Sequence, residues 1–204
     1  MSQKGERAIL EPIGANIFVV QSQFAAALID KLGHIFGNTR ELLNLNFEFA
    51  IQDLDTLLNV DLDRAEKYLR YAYYHSAVYD KRLESERFHY EQIKYSLLHN
   101  VERLHFFNQA PLETRKNIIF SDDCISAVQY LKRGPASMLS VYMRSSDVKA
   151  LLPMDLLYLA KALRAVDDYY TQQTDRIPTE GPVTKEVIAV HIGSAHYYTS
   201  GGRE

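Results

Sequence analysis

The chain has 204 residues, 47% hydrophobic and 24% charged, which is the balance of an ordinary globular domain and excludes a chain disordered throughout. Lys and Arg number 23 against 26 Asp and Glu, a net charge of −3, which speaks against a protein that coats nucleic acid by releasing counterions. The single cysteine, Cys124, excludes an intramolecular disulfide and a cysteine-built zinc site, and suits an intracellular, reducing compartment.

Met1–Pro12 is polar and charged with no apolar core, so no secretory signal is expected. The longest uncharged stretch, Pro12–Ile29, carries Asn16, Gln21, Ser22 and Gln23, too polar for a transmembrane segment. From Ala15 to about Phe36, the residues Ile17, Val20, Phe24, Ala27, Leu28, Leu32 and Ile35 recur at steps of three and four. That spacing predicts an amphipathic helix stopped by Gly37. A second helix is predicted from Asn38 or Thr39 to about Asn59, with Leu42, Leu45, Phe49, Leu54, Leu57 and Leu58 on its apolar side.

Arg64 to about Asn108 contains neither Pro nor Gly. Leu69, Ala72, Ser76, Tyr79, Leu83, Tyr90, Ile93, Leu97, Val101 and Leu104 form a helical stripe there, polar at Ser76 and at the level of Glu86 and Arg87. Unbroken, that helix would be about 65 Å long, against a radius of gyration of roughly 17 Å for a domain of this size. It therefore either breaks, near His99-Asn100, or projects and pairs with another chain.

Short helices are expected over Leu112–Ile119, Cys124–Lys132, Ala136–Met143 and Asp147–Leu152, with Gly134-Pro135 a break. Met154 to about Gln173 is a longer amphipathic helix. Val187–Ile192 is the one convincing strand, with Asn117–Phe120 the best candidate to pair with it unless another chain does. The predicted organisation is an arm (1–14), a helical domain (15–174), then a loop, strand and flexible tail (175–204). The fold class is mainly α: a bundle of six to eight helices with one long central helix and a short C-terminal β element.

The chemistry-bearing residues are scattered. Glu86 with His89 and Glu102 with His105 have the i, i+3 spacing of carboxylate-bridged metal sites, but both pairs lie on one predicted helix, so no metal site and no cofactor is expected. Cys124 reads as a small buried residue and the Asp167-Asp168 pair as a solvated turn. Tyr68, Tyr71 and Tyr79 share one helix sector and interleave with Arg64, Arg82 and Arg87, the composition of a protein–protein interface. Acidic neighbours offset the basic residues there, so a protein partner or self-association is expected rather than nucleic acid.

A helix with Asp155, Tyr158-Leu159 and Arg164, then a loop, then an apolar strand ending in Gly193-Ser194-Ala195-His196, closes the chain. Over residues 154–198 this layout resembles segments of uncharacterised proteins of large nucleocytoplasmic DNA viruses. The G-x-x-H after a strand is also loosely similar to the TraB/ChaN-type hydrolase superfamily. That resemblance implies His196 as a metal ligand or catalytic base, with Asp155 and Arg164 beside it. The leading expectation is a non-enzymatic structural or assembly protein, such as a viral particle component. The alternative is a reduced metal-dependent hydrolase-like domain centred on His196, and the third a nucleic-acid accessory protein using Arg64 to Arg87.

Overall fold

Asn44-Leu45-Asn46-Phe47-Glu48-Phe49 alternates polar and apolar residues strictly, the period of a half-buried strand. Thr39–Ala50 is accordingly a strand, β2, and the helix predicted from residue 38 is overturned. It is joined to β1 (His34–Phe36) by a turn at Gly37, whose φ of 59° favours glycine. The computed structural model describes Pro12 and residues 14–51, 60–74, 77–106, 114–172 and 185–199, without the side chains of 77–80, 104–106 and 171.

The other elements are α1 (Asn16–Leu32), α2 (Leu62–Tyr73), α3 (Ala77–Phe106), β3 (Ile118–Phe120), β4 (Ile125–Arg133), β5 (Ala136–Asp147), α4 (Leu152–Gln172) and β6 (Lys185–Tyr198). The strands form one six-stranded sheet in the order β1-β2-β6-β5-β4-β3. Only β5 and β6 run parallel, joined through α4 as a βαβ crossover. The described residues thus form an α/β fold with four α-helices, and the mainly α bundle is corrected.

Each correction has a local cause. Gly134-Pro135 turns a β-hairpin rather than separating helices, because Gly134 takes φ 55° and β4 pairs with β5 on either side. Of the predicted helix Leu112–Ile119, the described residues form a 3-10 turn at Thr114–Lys116 and then enter β3. Pro153 does not stop a helix; it sits in the first turn of α4, where a missing N–H costs nothing. The predicted long helix is divided between α2, which ends at Tyr73, and α3, which begins at Ala77 and continues past His99. Val187–Ile192 is a strand as expected, but β6 lies mid-sheet between β2 and β5, and β3 pairs at the far edge with β4 instead.

The core centres on α4. Every residue from Leu151 to Ala160 is buried, as expected of a helix apolar on nearly all sides. α1, α2 and α3 pack against α4, so all four helices lie on the same face of the sheet. On α1 the buried face is Phe18, Val19, Ser22, Ala25, Ala26 and Ile29, not the predicted stripe. Ser22, Ala25 and Ala26 are small enough for close approach, and Phe18 meets Phe49 edge to face at 6.2 Å. Val20, Phe24, Leu32 and Ile35 are exposed instead.

Candidate functional site

The parallel register sets Asp147 beside His196 at the carboxyl ends of β5 and β6. Open sheets place ligands at such ends, and a cleft of about 440 Å³ opens there beneath α3 and the first turn of α4. That volume lies within the usual range for small-molecule sites.

α3, α4, β3 and the entry to β4 supply the other walls. Along α3, Leu83, Glu86, Tyr90 and Ile93 share one face at steps of three and four, so the packing that buries Leu83 also turns Glu86 and Tyr90 into the cleft. Asp155 enters from the first turn of α4. Asp147 fixes the turn into that helix, its carboxylate accepting from the Ala150 amide at 3.2 Å. Cys124 lines the cleft just ahead of β4, where its carbonyl accepts from the Arg144 amide at 2.6 Å. A bulge follows between Ile125 and Ala127, a device that re-aims side chains beside many sites. His196 stands edge-on to Tyr198 at 5.8 Å.

The electrostatics are those of buried acids with little cationic charge beside them. Burial pushes the Asp155 carboxyl well above the usual carboxylate range, and the nearby Glu86 pushes it further, while the adjacent Tyr90 hydroxyl pulls back. Burial raises Glu86 too, against the pull of Arg82 and His89. Tyr90 is held far above the ordinary phenol range by burial and by Asp155. His89 reaches Asp123 at 3.1 Å across the mouth. Arg82 is the one Lys or Arg among the described lining residues.

A neutral carboxylic acid carries an O–H donor and a carbonyl acceptor side by side. Asp155 in that state is complementary to an amide-type edge, as found in amides and in nucleobases. Cys124 offers a nucleophile, and Glu86 and Asp155 offer proton transfer. No group of three or more His, Cys, Asp or Glu side chains among the described residues is placed to hold a metal.

The fold brings together two of the three residues that the hydrolase resemblance implied, Asp155 and His196. Arg164 lies nine residues along α4 from Asp155, about 13 Å by helix rise. Its guanidinium is forked onto Glu186 at 2.7 Å and donates to the Val60 carbonyl at 2.5 Å. Of the predicted interface residues, Arg82 lines the cleft, Tyr68 is half-buried, and Arg64, Tyr71 and Arg87 are exposed. The side chain of Tyr79 lies outside the described residues, as does that of His105. Cys124 is exposed rather than buried. Asp167 is buried rather than solvated, accepting from Tyr130 at 2.7 Å and Ser137 at 2.5 Å.

Sequence reasoning missed Glu86, Tyr90, Asp147 and Cys124 as a group, because they converge only in the fold. Two signals were available. Glu86 interrupts the apolar stripe of α3, and Asp155 is the one charged residue between Leu151 and Ala160. Comparison with known protein families and with curated proteins finds no match to this chain. No helix among the described residues is long and apolar enough to cross a membrane.

Proposed function

We propose that this chain is an enzyme that binds a small, polar metabolite with an amide-type edge in the cleft and acts on it through Cys124 with Asp155 and Glu86 as proton-transfer groups. The observation that carries this reading is convergence: a thiol, a buried carboxyl held above its usual range by burial, and His196 meet from separate elements in one cleft of about 440 Å³. The two features behind the assembly reading have other accounts. The long helix is broken and α3 packs on α4, and the C-terminal strand has partners on both sides within the chain. The basic stripe of the nucleic-acid reading is interrupted, since Arg70 is tied to Glu66 and Tyr158.

The test is alkylation of Cys124 by iodoacetamide in the presence of a panel of nucleosides, nucleotides and amide-bearing metabolites. A ligand of the cleft slows modification, and Asp155→Leu removes that protection while leaving Cys124 reactive. If no panel member protects, and none raises the melting temperature, the reading falls.

A second observation favours self-association. The helices pack on one face of the sheet, and the other carries Ser140, Ala189 and His191, the last stacked on Tyr142 at 4.8 Å, with the exposed Asn46 and Glu48 of β2 beside them. Four central strands about 4.8 Å apart and roughly 30 Å long give about 600 Å² per copy, near the lower bound for a stable interface. Light scattering on the wild type and on Ala189→Arg tests it: a dimer that the substitution splits supports the reading, and a monomer at all concentrations ends it.

A further inference from the structure

The alternation of β5 slips near its end. It buries Ser137, Leu139, Val141 and Met143, then shifts by one residue past Arg144, so that Ser146 rather than Ser145 is buried. β6 shifts at the same level, from Ile192 to Ala195, and Ala195 is the register partner of Ser146. Gly193 allows the two strands to approach there, since a Cβ at that residue would stand 3.0 Å from the Arg144 carbonyl oxygen. The slip leaves Ser146 on the side of Met143, and both line the cleft. Ser146 is only 6% exposed, and its Oγ has no hydrogen-bond partner among the described residues. A buried hydroxyl of this kind is rare in a folded protein, and it leaves a donor and an acceptor unused in the cleft wall.

The wall around it is acidic. Glu86, Asp123, Asp147 and Asp155 line the cleft, and Arg82 is the one Lys or Arg among the described lining residues. His89 reaches Asp123, which leaves Glu86, Asp147 and Asp155 deeper in the cleft with Arg82 as their nearest fixed cation. A phosphate placed there would meet repulsion from three sides. One metal ion is not served either, because no three such groups among the described residues stand close enough to share it. Acids set apart around about 440 Å³ suit a positive charge carried on a small organic molecule, whose N–H groups reach carboxylates and a hydroxyl together.

We propose that the ligand of the cleft is an organic cation, a metabolite that carries a primary amine beside its amide-type edge and no phosphate, and that the Ser146 hydroxyl is one of its direct contacts. The inference rests on the cleft being a site for an amide-bearing metabolite, and it narrows that class by charge. It needs no chemistry at Cys124.

The experiment titrates three probes into nitrogen-15-labelled full-length protein and follows the backbone amides by NMR. The probes are 4-aminobutyramide, butyramide and succinamate, which share an amide on a short chain and are positive, neutral and negative. The expected result is that 4-aminobutyramide moves the Ser146 and Asp155 amide signals and binds about tenfold tighter than butyramide, the effect of one charge beside partly screened carboxylates, with succinamate the weakest. Ser146→Ala weakens 4-aminobutyramide by about fivefold, the loss of one hydrogen bond, and leaves the melting temperature level or raised, because an unpartnered hydroxyl contributes nothing to folding. Glu86→Gln narrows the gap between the positive and neutral probes. Should either variant fail to fold, the order of the three probes on the wild type decides. Butyramide or succinamate binding as tightly as 4-aminobutyramide overturns the inference and leaves the amide reading standing. So does protection of Cys124 by nucleotides while 4-aminobutyramide fails to bind. Undiminished binding to folded Ser146→Ala, or signals moved only outside the cleft, also overturns it. If neither the three probes nor any panel member binds, this inference and the reading beneath it fall together.

Discussion

α4 buries an aspartate near each of its ends, and the two are in opposite situations. Asp167, toward the C-terminal end, is closed in by Tyr130 and Ser137, each donating a hydroxyl to one of its oxygens. Beside it the buried Glu186 is met by the fork of Arg164. Asp155, in the first turn, has Tyr90 on one side and open space on the other. Both carboxyls are pushed upward chiefly by burial, Asp167 to about 7. A perturbed carboxyl alone therefore does not distinguish a structural group from a reactive one. The difference is whether its remaining hydrogen-bonding capacity is used up by the protein or left facing a cavity.

The largest expected effect breaks the closed end. Arg164→Ala leaves Glu186 buried without its cation and costs about 3–5 kcal/mol in urea unfolding, while ligand protection of Cys124 is retained in the folded fraction. Had Arg164 belonged to the cleft, protection would be lost instead. Asp167→Ala comes next: it strands two buried hydroxyls and costs about 1–3 kcal/mol.

The same aspartate sharpens the comparison through pH. Its folded value of about 7 lies above the ordinary 3.8, so folding favours the proton. Its contribution to stability is full below about pH 4, declines as pH rises toward 7, and is level above that, with a slope of at most about 1.4 kcal/mol per pH unit. Asp167→Asn flattens that part of the stability–pH curve. A curve unchanged by this substitution would show that Asp167 does not titrate there.

The open end answers in the opposite direction. Asp155→Asn relieves the buried acid and raises stability by about 0.5–2 kcal/mol, while its amide keeps a donor beside an acceptor and so retains the ligand protection of Cys124 that Asp155→Leu removes. Loss of both stability and protection would make Asp155 structural, like Asp167. The smallest effect is at the surface, where Tyr71→Ala shifts stability by no more than about 0.5 kcal/mol. A larger shift, dependent on protein concentration, would place Tyr71 in an interface.

Much of the helical layout was legible in the chain. α4 was readable because its apolar residues recur at the helical period, and β6 because β-branched residues crowd before Gly193. The stretches misread as helices are β2, β4 and β5. Leu42, Leu45 and Phe49 satisfy a helical spacing, yet Leu45, Phe47 and Phe49 satisfy alternation as well, and short apolar runs fit either period. Pairing decided it, since β2 has β6 along nearly its whole length. The face of α1 was misjudged for a related reason. Periodicity marks the most apolar side, but the small residues Ser22, Ala25 and Ala26 allow the closer fit against α4.

By itself the sequence determined the composition of a folded domain, an amphipathic helix over most of α4, the C-terminal strand, and the presence of Asp155 and His196 in the last quarter of the chain. It could not assemble the site. Glu86, Cys124, Asp147, Asp155 and His196 are spread over more than half the chain, and local context marks out only Glu86 and Asp155. Only the sheet order and the packing of α3 over α4 bring them to one cleft, because burial and sheet pairing act between residues far apart in sequence, where local patterns carry no information.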